Sequence, residues 1–274
     1  MSSFFRLERV HENQLATGRD YYLDIVEQRI HGVLIDGVFS KEQAAAWVGS
    51  LESDDSHFRK HRLAQTFEGW CYGLGLDRCA GDLERYCEEA DALGNSFEAL
   101  SAQTGLSLDK ALWNVMERLG GGMPVHSPTY RETRSYMRMN LRRFPETGGL
   151  PPHLGLEQQQ RDPYKQLNDQ INHLTQVSYF IVLQAPEEGG DMLIYDFHWD
   201  QITTEHFVDG YTNLIPFLEG VDTFRIRPTV GSLLVFDGGR IAHEVTSVGG
   251  AIDRWTMGGF MAQKVDLNGY LIWT

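Results

Sequence analysis

The sequence predicts a mainly β fold, a double-stranded β-helix (jelly-roll, cupin-like) core flanked by helices that come first in the chain. Three observations carry this. The spacing of apolar residues changes near Tyr130 from a period of about 3.6 to a period of 2, the mark of helices giving way to half-buried strands. Seven alternating segments then follow one another between turn signals, as in a double-sheet barrel. The chain has 274 residues, 42% of them hydrophobic, enough for one full core, and a barrel with helical trimmings fits this length as a single unit. We therefore expect one domain over residues 1–274, with 1–129 as mainly helical support and pocket lid and 130–274 as the jelly-roll core.

Taken in order, the first apolar run is Gly32-Val-Leu-Ile-Asp-Gly-Val-Phe39, whose β-branched residues predict a strand. Ser40 then stands as a helix N-cap before Lys41–Ser50, with Glu42 and Gln43 in the first turn. Residues 82–102 carry Leu83, Tyr86, Ala90, Leu93 and Phe97 at helical spacing, and 108–119 continue the pattern. The strand candidates are 135–144, 177–183, 192–195, 223–227, 232–236, 242–246 and 254–261. Between them lie Pro186-Glu-Glu-Gly-Gly190, Pro228-Thr-Val-Gly231 and Asp237-Gly-Gly239, which favour turns.

Charge and cysteine usage narrow the class. With 24 basic and 38 acidic side chains the formal charge is 24 − 38 = −14, and no Lys/Arg cluster offers a docking face for nucleic acid or an anionic membrane. The N-terminal segment lacks a signal-peptide core and no stretch has spanning length, so a cytoplasmic location is expected. Cys71, Cys79 and Cys87 form an odd set without a CxxC, which fits buried thiols better than disulfides or zinc.

Among ten histidines, His57 and His61 share a helical face, but Arg59, Lys60 and Arg62 beside them repel a cation. His153 and His243 differ. His153 follows Pro151-Pro152 where a strand should begin. His243, 90 residues on, follows a strand and the glycine turn, and Arg254-x-Thr256 comes 11 residues later. This order resembles that of non-haem Fe(II), 2-oxoglutarate-dependent oxygenases. Two neutral imidazoles can occupy one face of an octahedral Fe(II), leaving positions for a bidentate co-substrate and O2. The planar fork of Arg254, with the Thr256 hydroxyl two residues on, suits the distal carboxylate of 2-oxoglutarate.

In hydroxylases of this pattern the residue two places after the first histidine is Asp or Glu. Here it is Gly155. Removing that carboxylate leaves a coordination position and a missing negative charge that a halide can fill. The blocks Gly32–Phe39, Arg62-Leu-Ala-Gln65, His153-Leu-Gly155, Val177-Ser-Tyr-Phe180, Pro186–Gly190, Gly231–His243, Arg254–Phe260 and Tyr270–Thr274 are similar to the Fe(II)/2-oxoglutarate-dependent aliphatic halogenases. The likeness is to the carrier-protein-independent enzymes of welwitindolinone and hapalindole alkaloid biosynthesis and the related N-succinyl amino-acid hydroxylases.

The resemblance implies His153 and His243 as iron ligands, Gly155 as the halide site and Arg254 with Thr256 as the 2-oxoglutarate anchor. Ser178 matches a serine that favours halide over hydroxyl transfer, and equally fits a strand serine facing a neighbour. Leu63, Ala64 and Leu150 match substrate-pocket positions and would also serve as plain core. Arg138 and Asn140, on the strand before His153, fit either 2-oxoglutarate binding or structural pairing.

The implied cofactors are Fe(II), 2-oxoglutarate, O2 and chloride or bromide. The implied partner is a freestanding small molecule such as an alkaloid or amino-acid derivative, with no carrier protein. Glu157 is a rival source of carboxylate, since residues 153, 155 and 157 would share a strand face. At about 3.3 Å per residue its Cα would lie about 13 Å from that of His153, too far unless the segment bends. A hydroxylase that tolerates Gly155, and a non-catalytic jelly-roll binding protein, remain alternatives.

Overall fold

A computed structural model describes residues 4–15, 18–63, 68–208 and 211–274. Fourteen strands make up two sheets. In chain order they are β1 (Leu7–His11), β2 (Gly32–Asp36), β3 (Lys60–Arg62), β4 (Trp70–Tyr72), β5 (Val125–His126), β6 (Asn140–Phe144), β7 (Leu150–His153), β8 (Val177–Gln184), β9 (Met192–His198), β10 (Thr223–Ile226), β11 (Leu233–Phe236), β12 (Ile241–Val245), β13 (Arg254–Gln263) and β14 (Tyr270–Trp273). The large sheet runs β1-β2-β11-β8-β13-β6-β4-β3, with β14 pairing the far end of β13 and β5 pairing β14. The small sheet runs β10-β9-β12-β7. Pairing is antiparallel except for β1 with β2 and β5 with β14.

Period-2 alternation sorts each central strand of the large sheet into two faces. On β8, Val177, Tyr179, Ile181 and Leu183 join Leu233 and Val235 of β11 and Trp255 and Met257 of β13 in a core shared with the helices. The opposite face presents Leu34, Leu234 and Phe236 to Met192 and Ile194 of β9, Ile226 of β10 and Val245 of β12, so a second core lies between the sheets. That inner face of β13 also carries Arg254 and Thr256, both buried.

The helices follow their sequence signals. α1 spans Tyr21–Val26, α2 Lys41–Ser53, α3 Leu83–Thr104 and α4 Leu108–Leu119. Ser40 and Gln43 form the reciprocal capping box of α2, with Gln43 N donating to Ser40 Oγ at 3.2 Å and Ser40 N to Gln43 Oε1 at 2.8 Å. Asp82 caps α3 through the Arg85 amide, and Gly105, at φ +72°, ends it. Trp47, Val48 and Leu51 of α2 and Leu93, Phe97 and Leu100 of α3 pack on the large sheet.

The first 129 residues carry α1 to α4, and they also supply β1 to β5, half the strands of the large sheet, of which the sequence announces only β2. Three of those five have only two or three residues, too few to display a period. His153 closes a strand rather than opening one: β7 reads Leu-Pro-Pro-His. It tolerates two prolines because it is the edge of the small sheet, where a missing N–H costs no ladder bond. Among the described residues no helix is long and apolar enough to cross a membrane.

Candidate active site

Neighbouring strands of the small sheet bring the distant histidines together. His153 on β7 is the direct cross-strand partner of His243 on β12, and their ring centroids lie 4.3 Å apart. Each ring is oriented by its own strand. His153 Nδ1 lies 2.8 Å from the Pro151 carbonyl oxygen and His243 Nδ1 lies 2.9 Å from that of Ile241. A carbonyl can only accept, so both Nδ1 atoms carry the proton and both Nε2 lone pairs are free. Burial lowers the pKa of both rings, and for His243 the His153 charge adds to the effect, so both are neutral at physiological pH. Two neutral imidazoles with free Nε2 atoms are a donor set that fits a divalent transition metal.

Both rings border a cavity of about 310 Å³, whose opposite wall is the inner face of β6, β8 and β13. Arg254 lies in that wall, 3% exposed, its guanidinium 5.2 Å from the Phe180 ring centre and 5.9 Å from that of Phe144. Burial, and then the neighbouring Arg142 charge, push its pKa down to about 10, and among the described residues it has no carboxylate partner. A buried cation in this state favours an anionic ligand. Thr256 also lines the cavity, as expected for two residues on along one strand face.

Close backbone approach explains the glycines. Gly155 N donates to Gly238 O at 2.8 Å, and Leu156 N to Gly239 O at 3.0 Å. A Cβ on Gly155 would run into Gln176 Nε2, one on Gly238 into Ser178 Oγ, and one on Gly239 into the Gln176 carbonyl. The turn carrying Gly238 and Gly239 is fixed by buried Asp237, whose carboxylate accepts from Arg240 Nε at 2.9 Å. Facing this junction, Gln176 Nε2 and Ser178 Oγ are buried polar atoms without a hydrogen-bond partner among the described residues. Such orphans call for an unseen water or ion.

The sequence-selected residues sort as follows. His153, His243, Arg254, Thr256, Ser178, Asn140, Leu63 and Leu150 all line the one cavity, whereas Gly155 does not. Ala64 lies outside the described residues. Arg138 is misplaced by the sequence argument: β6 begins only at Asn140, and Arg138 is exposed, bonded to Ser127 Oγ at 3.1 Å and stacked on Trp113.

Its intended place is taken by Arg142, which the sequence argument missed. Being two residues after Asn140 on the same strand, Arg142 shares the inward face, a signal present in the alternation itself. Asn140 is occupied at both ends, donating to Thr274 Oγ1 at 2.6 Å and accepting from Arg142 Nε at 3.2 Å.

Glu157 does not share a strand face with His153 either, because 155–160 form a 3₁₀ turn. The segment bends, and Glu157 reaches the cavity wall. Its carboxylate is bound there by Arg161 and by the Thr212 hydroxyl. Among the described residues no group of three His, Cys, Asp or Glu side chains converges as a metal site.

Solved structures share this architecture. The N-substituted L-amino acid dioxygenase of Burkholderia ambifaria AMMD superposes with a TM-score of 0.54 at 16% identity, over 92% of this chain and 90% of that one. The epimerase SnoN, solved with Fe3+, α-ketoglutarate and nogalamycin RO, gives 0.53 at 9% identity over 92% and 83%. At these identities the likeness defines the fold, which together with the site is that of a non-haem iron, 2-oxoglutarate-dependent oxidoreductase. No curated protein sequence matches the chain. The family model described as carrier-protein-independent halogenase WelO5 matches residues 4–274, and the chain belongs to that family.

Proposed function

We propose that the enzyme halogenates an unactivated aliphatic C–H bond of a freestanding small molecule, an alkaloid or amino-acid derivative, using Fe(II), 2-oxoglutarate, O2 and chloride or bromide. The observation that carries this is the His153–His243 pair with no third protein ligand among the described residues: position 155 is glycine and Glu157 is engaged by Arg161 and Thr212. Family membership supports it, and the family's independence of a carrier protein agrees with a free substrate.

His153 and His243 would hold the iron through Nε2, their orientation fixed beforehand by the Pro151 and Ile241 carbonyls. When bound, the iron couples decarboxylation of 2-oxoglutarate by O2, giving succinate and CO2, to replacement of a substrate hydrogen by halide. Arg254 would bind the distal carboxylate of 2-oxoglutarate, with Thr256 donating beside it, and Phe144 and Phe180 exclude water from that end. Ser178, whose hydroxyl lacks a partner among the described residues, would donate a hydrogen bond into the reacting region and so bias halide over hydroxyl transfer. Leu63 and Leu150 form an apolar part of the substrate wall.

The test is turnover of a panel of small amines, alkaloids and amino-acid derivatives, with and without chloride, read by mass spectrometry. Chlorinated product with succinate supports the proposal; hydroxylated product alone at saturating chloride identifies a hydroxylase. Absence of Fe(II) binding and of succinate would identify a non-catalytic binding protein.

A further inference from the structure

Gln176, the residue before β8, is 1% exposed and has been given no part in the chemistry. Its Nε2 stands at the point a Cβ on Gly155 would occupy, two residues from His153, and has no hydrogen-bond partner among the described residues. The rest of the amide is held in place. Gln159, on the 3₁₀ turn that Gly155 opens, donates from its Nε2 to Gln176 Oε1, and its own carbonyl accepts from Asn168 Nδ2 at 2.9 Å.

The nitrogen, not the oxygen, is the end that faces Gly155. The Gly238 carbonyl oxygen lies 3.0 Å from the same point, and an amide oxygen there would set two acceptors against each other. A side chain at 155 and the Gln176 amide therefore compete for one space. Glycine does two things at once: it removes a carboxylate and seats an N–H donor where the stem of that carboxylate would run. A buried donor calls for an acceptor.

The charge balance of the site favours an anion as that acceptor. Both imidazoles are neutral, and among the described residues no carboxylate joins them, so a divalent metal held there would keep its charge uncompensated by the protein. An anion drawn into so buried a place needs hydrogen-bond donors to replace its water. We propose that Gln176 is a halide-binding residue, its side-chain amide donating a hydrogen bond to the chloride or bromide that takes the place of a carboxylate at position 155. This rests on the halogenase reading above and deepens it: the halide is held by this chain as well as by metal.

The experiment titrates chloride into Co(II)-loaded protein with 2-oxoglutarate under anaerobic conditions, and follows the visible absorption of the metal. Wild type is expected to respond saturably. Gln176→Met, of similar length but without a donor, should need at least about tenfold more chloride, a loss of about 1.4 kcal/mol. Its affinities for Co(II) and 2-oxoglutarate should stay within about twofold of wild type. Gln176→Glu, the same shape with an ionised group that only accepts, should give no chloride response. In wild type loaded with Zn(II), chloride should also shift the side-chain amide resonances of Gln176 in NMR spectra, a reading that needs no variant. Chloride bound equally by wild type and either variant, or Gln176 resonances unmoved at saturating chloride, would overturn the role of Gln176 and leave the halide reading intact. Wild type that binds Co(II) yet gives no chloride response would overturn the halide reading, and this proposal with it.

Discussion

The side-chain amide nitrogen of Gln176 stands where the Cβ of any residue larger than glycine at position 155 would go, with Gly238 O 3.0 Å and Gly239 Cα 3.3 Å from the same point. A side chain at 155 must therefore displace the Gln176 amide and press on the Gly238 carbonyl, in addition to restoring a carboxylate. Gly155→Asp should destabilise the protein by about 1–3 kcal/mol, the usual cost of overpacking. Gly155→Asp with Gln176→Ala should recover most of this. The double variant should also shift product further from chlorinated to hydroxylated than the single one. Thermal denaturation and product mass spectra check both, and an unchanged melting temperature in Gly155→Asp would contradict the packing account.

Arg254 should dominate the 2-oxoglutarate requirement. Losing a buried charged partner costs about 2–5 kcal/mol, so Arg254→Ala should raise the half-saturating concentration by about 30-fold or more. Titrating 2-oxoglutarate against succinate formation reads this out, and an unchanged requirement removes Arg254 from the role.

Glu157 should not be a metal ligand, because Arg161 and Thr212 already use its oxygens. Glu157→Gln should leave Co(II) affinity within about twofold, whereas His153→Ala and His243→Ala should each abolish it. A tenfold loss in Glu157→Gln would reopen the three-ligand alternative.

Acid should weaken the metal-free protein. Burial pushes His31 down to about 4, and its Nδ1 accepts a hydrogen bond from Arg6 N at 3.0 Å, which needs the neutral ring. The unfolded chain takes up that proton near pH 6.5 and the native state does not. Stability from this group is thus full above about pH 6.5 and lost as pH falls towards 4. Melting temperatures at pH 7.5, 6.5 and 5.5 should decline, less steeply in His31→Asn. An identical decline in the variant would assign the effect elsewhere.

The Ser40 capping box predicts a separable stability effect. Ser40→Ala should cost about 1 kcal/mol and leave the 2-oxoglutarate requirement unchanged.

What the sequence revealed follows from what alternation and spacing encode. β8, β11 and β13 form where the sequence places the segments 177–183, 232–236 and 254–261. Arg254 and Thr256, two apart on β13, share the cavity side as strand parity dictates. β3 and β4 carry three residues each, and β7 hides behind two prolines that only its edge position permits. The alternation from 135 points to Arg138 rather than Arg142 because it begins five residues before the strand does, and parity alone does not choose between 138, 140 and 142. The bend at Gly155 was invisible, since it is imposed by the Gly238–Gly239 turn lying 83 residues away in sequence. Gln176 left no local signal at all: its significance is a contact with an absent side chain.

The central claim, a His153–His243 iron site whose third position is filled by halide, is tested most directly by crystals grown with Fe(II), 2-oxoglutarate and bromide under anaerobic conditions, with anomalous scattering collected at the bromine edge. The account predicts a bromine peak bonded to iron on the side of Gly155. Iron held by His153 and His243 with water or the Glu157 carboxylate in that place, and no bromine, would contradict it.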